Sequence, residues 1–391
     1  MNVALIIERM ETWRGGAEIS TVEFAGHLAR GGCRVTVLTA SNVPSTPALN
    51  IVPIRAQVPS RAARTLLFTR RAAAYVRAHD FDIVHSIVPC MVADVYEPRG
   101  GTVPEMLERN ADMRTTPGAR RLKRLGQQLG LKYRVLARLE RRLLTRKPAP
   151  WVIAISQYVA DQLRRHYGFD ASRIRGVFNG VDCDPAPAEQ RRADRVQVRR
   201  QFGLADDDLV VLCAAHNFKL KGVGQLIEAL ARCKAERAYV LIVGRDNPAA
   251  FAALAERLGI PQRVIFSGPT QRMPAFYHAA DLLAHPTFYD PCSRVVLEAL
   301  AAGLPVVTTR FNGAAERITD GVQGYVIDSP HDVGALADRI DRLADDEHRR
   351  ACATRAAQAV QDISMKGHAD DIQALYQEIL ASRTGHSRAY R

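Results

Sequence analysis

The sequence predicts an α/β protein built from two doubly wound domains, and three observations predict it. At 391 residues the chain is longer than one hydrophobic core usually serves. Short β-rich apolar runs alternate with helix-periodic stretches, the pattern of parallel sheets covered by helices on both faces. Pro185, Pro187 and the polar run 188–200 interrupt two such series. The expected domains are therefore residues 1–182 and 183–363, with a last helical stretch, 364–391, expected to pack back on the first.

The first series opens with the apolar run Val3 to Ile7, the turn Arg14-Gly15-Gly16 and a helical pattern from Ala17 through Leu28. Gly31-Gly32 closes that helix, and Val35 to Leu38 reads as the next strand, so the chain begins as a βαβ unit. Phe81 to Val84 and Trp151 to Ile155 give further strands. In the second series the strands are Val210 to Ala214, Tyr239 to Val243, Val264 to Phe266, Leu282 to Ala284, Val306 to Thr308 and Tyr325 to Ile327. Helical patterns Gln225 to Ala235, Ala249 to Leu258, Met273 to Ala280 and Val295 to Ala302 separate them. Two such domains bind ligands at the carboxyl ends of their strands.

Composition narrows the class. Hydrophobic residues make up 47% and charged residues 24%, too apolar for a disordered chain. Glu8 and Arg9 cut off the first apolar run, so it reads as a strand rather than a secretory signal. No uninterrupted apolar run reaches the ~18 residues of a membrane span. The seven cysteines are scattered without zinc-site or disulfide spacing, which fits a reducing cytoplasm. The net charge of +13 calls for an anionic partner. It is concentrated: residues 99–147 hold 14 Lys and Arg against Glu105, Glu108, Asp112 and Glu140.

Within that basic segment Leu122, Leu125, Leu129, Tyr133, Leu136, Leu139 and Leu143 recur every three or four residues. One apolar helix face among arginines is the pattern of a helix lying on an anionic membrane surface. The rival explanation of the charge, nucleic-acid binding, lacks a helix-turn-helix, an aromatic sheet motif or a zinc module, and no nucleic-acid partner is expected.

The most informative stretch runs from His285 to Val307. It holds Asp290 eight residues before Glu298, with a helix predicted to start near Cys292 and Ser293. A helix N-terminus offers free N–H groups and a positive dipole end to a diphosphate. Glu298, one to two turns in, can accept from ribose hydroxyls. Eight helical residues rise about 12 Å, roughly the span from a donor hexose to its ribose. A second stretch, Ala214 to Gly222, follows a strand and opens a helix; Lys219 and Lys221 there can neutralise a diphosphate leaving group. A third, Gly15-Gly16-Ala17-Glu18, lets backbone approach a ligand after the first strand. Asp182-Cys183-Asp184 and Asp206-Asp207-Asp208 invite a Mg²⁺ or Mn²⁺ reading, but such clusters are common at turns, and no catalytic metal is expected.

These motifs resemble those of the retaining family 4 glycosyltransferases of GT-B architecture, closest to the lipopolysaccharide core glucosyltransferases. The stretch from 290 to 298 resembles their Glu-x7-Glu signature with Asp290 in place of the first Glu, and Lys221 stands at their basic loop, where His216 replaces the usual Arg. The resemblance runs from the first strand to about residue 360, with further echoes at Asp94-Val95-Tyr96 and from Tyr133 to Leu144. It implies transfer of a hexose, with retention at the anomeric carbon, from a nucleotide sugar, a UDP-hexose, to a glycan or glycolipid acceptor in lipopolysaccharide or cell-envelope synthesis. It implies no cofactor. Donor contacts would come from Gly15, Gly16, Lys219, Lys221, Pro269, Asp290, Cys292, Ser293 and Glu298. Lys221 and Asp290 are the catalytic candidates of the second domain, His85 and Asp94 those of the first. The implied place is the cytoplasm, on the inner face of the cytoplasmic membrane. A GT-B sugar-nucleotide epimerase is the enzymatic alternative.

Overall fold

The computed structural model describes residues 1–11, 15–181 and 186–384. They form two compact units: 1–111, 116–180 and 363 onward in the first, 112–115 and 181–362 in the second. The boundary expected at 182/183, with Pro185, lies outside the described residues.

The first unit is a seven-stranded sheet of β1 (Asn2–Ile6), β2 (Arg34–Thr39), β3 (Leu49–Pro53), β4 (Ile83–Ser86), β5 (Val95–Tyr96), β6 (Trp151–Ala154) and β7 (Ile174–Gly176). The order is β3-β2-β1-β4-β5-β6-β7, and every pairing is parallel. Its helices are α1 (Gly16–Arg30), α2 (Arg61–Arg77), α3 (Val103–Asp112), α4 (Pro117–Leu129), α5 (Leu131–Thr145) and α6 (Gln157–Tyr167). Strand alternation sends Val3 and Leu5 to one face and Ala4 and Ile6 to the other. The first pair packs with Phe24 and Leu28 of α1, the second with Phe68 and Ala72 of α2.

The second unit has six parallel strands, β8 (Leu209–Ala214), β9 (Ala238–Val243), β10 (Val264–Gly268), β11 (Leu282–His285), β12 (Val306–Thr309) and β13 (Gly324–Ile327), in the order β10-β9-β8-β11-β12-β13. Helices α7 (Ala188–Gln201), α8 (Val223–Leu230), α9 (Ala249–Arg257), α10 (Met273–Ala279), α11 (Arg294–Ala301), α12 (Val333–Ala344) and α13 (Asp346–Gln358) surround it. The last helix, α14 (Met365–Thr384), belongs to the first unit and buries Met365, Ile372 and Tyr376 against α1 and the sheet.

The polar run 188–200 that separates the two series is a helix of the second unit, α7, held by the buried Arg199, whose guanidinium donates to Asp281 Oδ2 (2.7 Å) and to the carbonyls of Ala279 (3.0 Å) and Ala205 (2.6 Å). One expectation needs correction. The leucine stripe of the basic segment is not one helix face. Gly130 ends α4, with its N–H on the carbonyls of Gly126 and Gln127, and α5 starts a new axis. Leu143 and Leu144 are buried in the first unit, whereas Leu122, Leu125, Leu129 and Leu131 are 72%, 56%, 77% and 61% exposed. Among the described residues no helix is long and apolar enough to cross a membrane.

Candidate functional site

In the second unit, β8 runs into the loop 215–222 and then α8. Gly222 turns that corner at φ 71°, and a Cβ there would stand 2.1 Å from the Pro286 carbonyl oxygen. Only glycine allows this approach, and it brings the loop against the segment that follows β11. Lys221 Nζ consequently lies 2.5 Å from Asp290 Oδ2 and 3.5 Å from the Tyr289 carbonyl. Asp290 is held by backbone bonds, its N–H on Phe311 O and its carbonyl on Gly313 N, both 2.9 Å. Behind the pair, His285 at the end of β11 is buried, with Nε2 3.7 Å from Asp290 Oδ2. Burial pushes the Asp290 carboxyl up, and the Lys221 ammonium and His285 outweigh it, holding the group well below the usual carboxylate range. Burial also lowers His285, which keeps it neutral. An ammonium has three donors, so Lys221 can hold Asp290 and still face phosphate oxygens.

Helix α11 starts beside this pair. Ser293 is its N-cap residue, but its side chain makes no cap hydrogen bond. Its own N–H goes to Asn312 Oδ1 at 3.1 Å, and Asn312 is fixed in turn by Ala314 N (3.1 Å) and Thr308 Oγ1 (3.0 Å). The N–H groups of a first helical turn have no intrahelical acceptor, and this one presents them beside the lysine. Glu298, in the second turn, accepts from Arg294 Nε at 2.6 Å and from Tyr277 Oη of α10 at 2.7 Å. Each oxygen keeps a lone pair for another donor.

The structure thus brings Lys221, Asp290, Ser293 and Glu298 into one neighbourhood. Cys292 is buried just before α11, Lys219 is exposed on the loop before α8, and Pro269 is exposed after β10. His216, on the same loop, is lowered by partial desolvation of its ring and by the nearby charges of Arg245 and Lys221. Gly15 and Gly16 are in the first unit, where Gly15 is the residue before α1. Sequence reading missed Arg294, Tyr277, His285 and Asn312. The Arg294-x3-Glu298 spacing, one helical turn, was a usable signal for the first; the others come from separate elements.

The two first-domain candidates have structural roles. His85 is fully buried, with Nε2 3.1 Å from Glu97 Oε2 and Nδ1 2.5 Å from Tyr376 Oη. A side chain with no exposed surface cannot touch a substrate, so the expectation of a catalytic His85 is corrected. Asp94 accepts from Val84 N at 2.8 Å and pairs with Arg383 of α14; it ties the helix to the strand ends. Glu97 is the centre of the buried group: Arg99 Nε is 2.9 Å from Oε1, and His368 Nε2 is 3.5 Å from the same oxygen. Burial pushes Glu97 up, and Arg99 and the two imidazoles override it, holding the carboxyl well below its usual range.

Of the acidic clusters considered for a metal, Asp182 and Asp184 lie outside the described residues. Asp207 and Asp208 pair with Arg237. The grouping Glu105, Glu108 and His166 is already neutralised by Arg165 and Arg109, a poor host for a cation.

Comparisons with known proteins bear on the family and the fold. The family described as Glycosyltransferase Family 4 matches residues 14–185, and that described as Glycosyl transferases group 1 matches residues 194–359. The chain is 32% identical over 206 residues to the lipopolysaccharide glucosyltransferase WaaG of Escherichia coli strain K12, covering 52% of this chain and 55% of that protein. It spans about half the length of the curated relatives it matches. The crystal structure of WaaG, a glycosyltransferase involved in lipopolysaccharide biosynthesis, superposes with a TM-score of 0.82 at 24% identity, covering 96% of this chain and 99% of that one. Anabaena HepE in complex with UDP-glucose superposes with a TM-score of 0.71 at 22% identity, covering 98% of this chain and 100% of that one. With both halves matched and the two-sheet architecture shared, the chain belongs to the family 4 glycosyltransferases of GT-B fold.

Proposed function

We propose that this protein is a retaining glycosyltransferase that moves a hexose from a UDP-hexose to a glycan or glycolipid acceptor in lipopolysaccharide or other cell-envelope synthesis. One observation carries the reading: Lys221 and Asp290, 2.5 Å apart, stand beside the start of α11, whose N-cap Ser293 makes no side-chain cap hydrogen bond. Lys221 and the first-turn N–H groups of α11 hold the diphosphate and stabilise the charge that grows on it as the sugar–phosphate bond breaks. Glu298, already oriented by Arg294 and Tyr277, accepts from the ribose hydroxyls, and Asp290 accepts from the hexose. Pro269 lies against the base. Attack comes from the face the phosphate leaves, and the departing phosphate takes the acceptor proton. No metal is required, because Lys221 supplies the positive charge.

The names of WaaG, a lipopolysaccharide glucosyltransferase, and of HepE, solved with UDP-glucose, favour a glucose donor and an envelope acceptor. The exposed Leu122, Leu125, Leu129 and Leu131 among the basic residues of α4 and α5 favour a peripheral position on an anionic membrane surface. The test is a panel of nucleotide sugars with a truncated lipopolysaccharide core as acceptor, the product anomer assigned by NMR. A new α-linked hexose from an α-linked donor supports the reading. Interconversion of free nucleotide sugars without glycoside formation points to an epimerase, and an inverted product removes the retaining mechanism.

A further inference from the structure

Strand order in the first sheet reverses between β1 and β4, the topological position where open α/β sheets take ligands. A cavity of about 260 Å³ opens there, walled by Glu8 after β1, Ile87 after β4 and Arg99 and Gly100 after β5. A second, of about 820 Å³, lies over the ends of β2 and β3, with Asn42, Arg55 and Gln57 in its wall. Arg64 lines both, so they adjoin as one polar groove. Small-molecule sites usually measure about 300–1,000 Å³; the groove has room for more than one sugar ring.

Its charge is unbalanced. Among the described residues, Arg9, Arg55, Arg64 and Lys132 meet no carboxylate at ion-pair distance. Arg64 gives one N–H to the Val58 carbonyl at 3.4 Å. Arg99, in contrast, is 4% exposed and committed to Glu97 and to Ser20 Oγ (2.6 Å), a fixed wall rather than a free charge. The opposing acids are Glu8, whose oxygens accept from Thr65 Oγ1 at 3.3 and 3.2 Å, and Glu18. Arg64 stands in the first turn of α2 and Lys132 in the first turn of α5, and neither turn holds an acidic residue. A cation there faces the positive end of a helix dipole, an arrangement that a bound anion relieves.

We infer that this groove holds an acceptor of at least two sugar units bearing an anionic substituent, phosphate or carboxylate, which Arg64 reads where the cavities meet. Lys132 and Arg55 flank it, and Glu8 and Glu18 take sugar hydroxyls. The inference rests on the transferase reading above and adds the charge class of its acceptor.

Calorimetric titration of the full chain in the presence of UDP tests it, with trehalose 6-phosphate, cellobiouronic acid and uncharged trehalose as probes. At least one charged disaccharide is expected to bind tenfold or more tighter than trehalose, the phosphate and carboxylate arms telling which anion is preferred. Arg64→Gln and, on an exposed helix start, Lys132→Gln should each erase most of that preference while UDP affinity stays unchanged. Equal affinity for charged and neutral sugars, no binding of charged probes at millimolar concentration, or variants that keep the full preference would overturn the inference while leaving UDP binding, and the transferase reading, intact. A wild-type chain that binds no UDP overturns both.

Discussion

Lys221 sits 2.5 Å from Asp290, so a change at either residue acts on the other. Replacing Lys221 by alanine removes a group proposed to act on charge that grows only in the transition state, and turnover should fall about 100-fold or more. The melting temperature, measured alongside, separates this loss from destabilisation by the carboxylate left behind. Wild-type turnover at saturating donor would exclude the role. Glu298→Gln tests a different step. An amide offers one acceptor oxygen where the carboxylate offers two, and Arg294 and Tyr277 already claim both. UDP affinity should therefore drop by roughly 1.5–3 kcal/mol, the worth of a hydrogen bond to a charged group, and calorimetry showing unchanged affinity in a folded variant would remove the ribose assignment. That Glu298 and Lys221 could be singled out from sequence at all reflects local motifs beside helix starts, α11 at Arg294 and α8 at Val223, and the family resemblance those motifs carry. His85 was misjudged because its partners, Glu97, His368 and Tyr376, are distant in sequence, and nothing local distinguishes a buried network from a catalytic end-of-strand histidine.

Among the described helices, α4 has a surface unlike that of an ordinary solvated helix. Thr116 caps it, accepting from Ala119 N at 3.3 Å, and Pro117 opens it. It nevertheless leaves Leu122 and Leu129 more than 70% exposed. Changing Arg120, Arg121, Lys123 and Arg124 together to Gln should abolish co-sedimentation with anionic vesicles at low salt, since each basic residue near such a surface adds about 1 kcal/mol. Equal sedimentation of wild type with neutral and anionic vesicles would show that α4 serves another purpose. The strands illustrate what patterning reveals. All six of the second sheet were legible as apolar runs, because strands buried on both faces carry little else. In the first sheet β3 was missed: it is an edge strand with Asn50 and Pro53, residues tolerated there but not strand-like. The two residues of β5 are too few for any period to show.

For the whole molecule, acid sensitivity follows from two buried imidazoles. Burial lowers both His85 and His285, so the folded protein refuses protons that the unfolded chain accepts at an ordinary histidine pKa of about 6.5. Their contribution to stability is complete above about pH 6.5 and is lost as pH falls from there toward their lowered folded values. Each contributes a slope of up to about 1.4 kcal/mol per pH unit across that window. Urea midpoints should hold steady between pH 7 and 8 and decline from 6.5 to 5; an unchanged midpoint at pH 5.5 would contradict the neutral, buried assignment. The path of the chain has a further consequence. The first unit is assembled from residues on both sides of the second, and α14 covers the sheet face that carries Val3, Leu5 and Ile83. Translation delivers α14 after the entire second unit. Until then that face is covered only in part, by Phe24 and Leu28 of α1, so the first unit completes its core only when its last helix arrives rather than when its own strands appear.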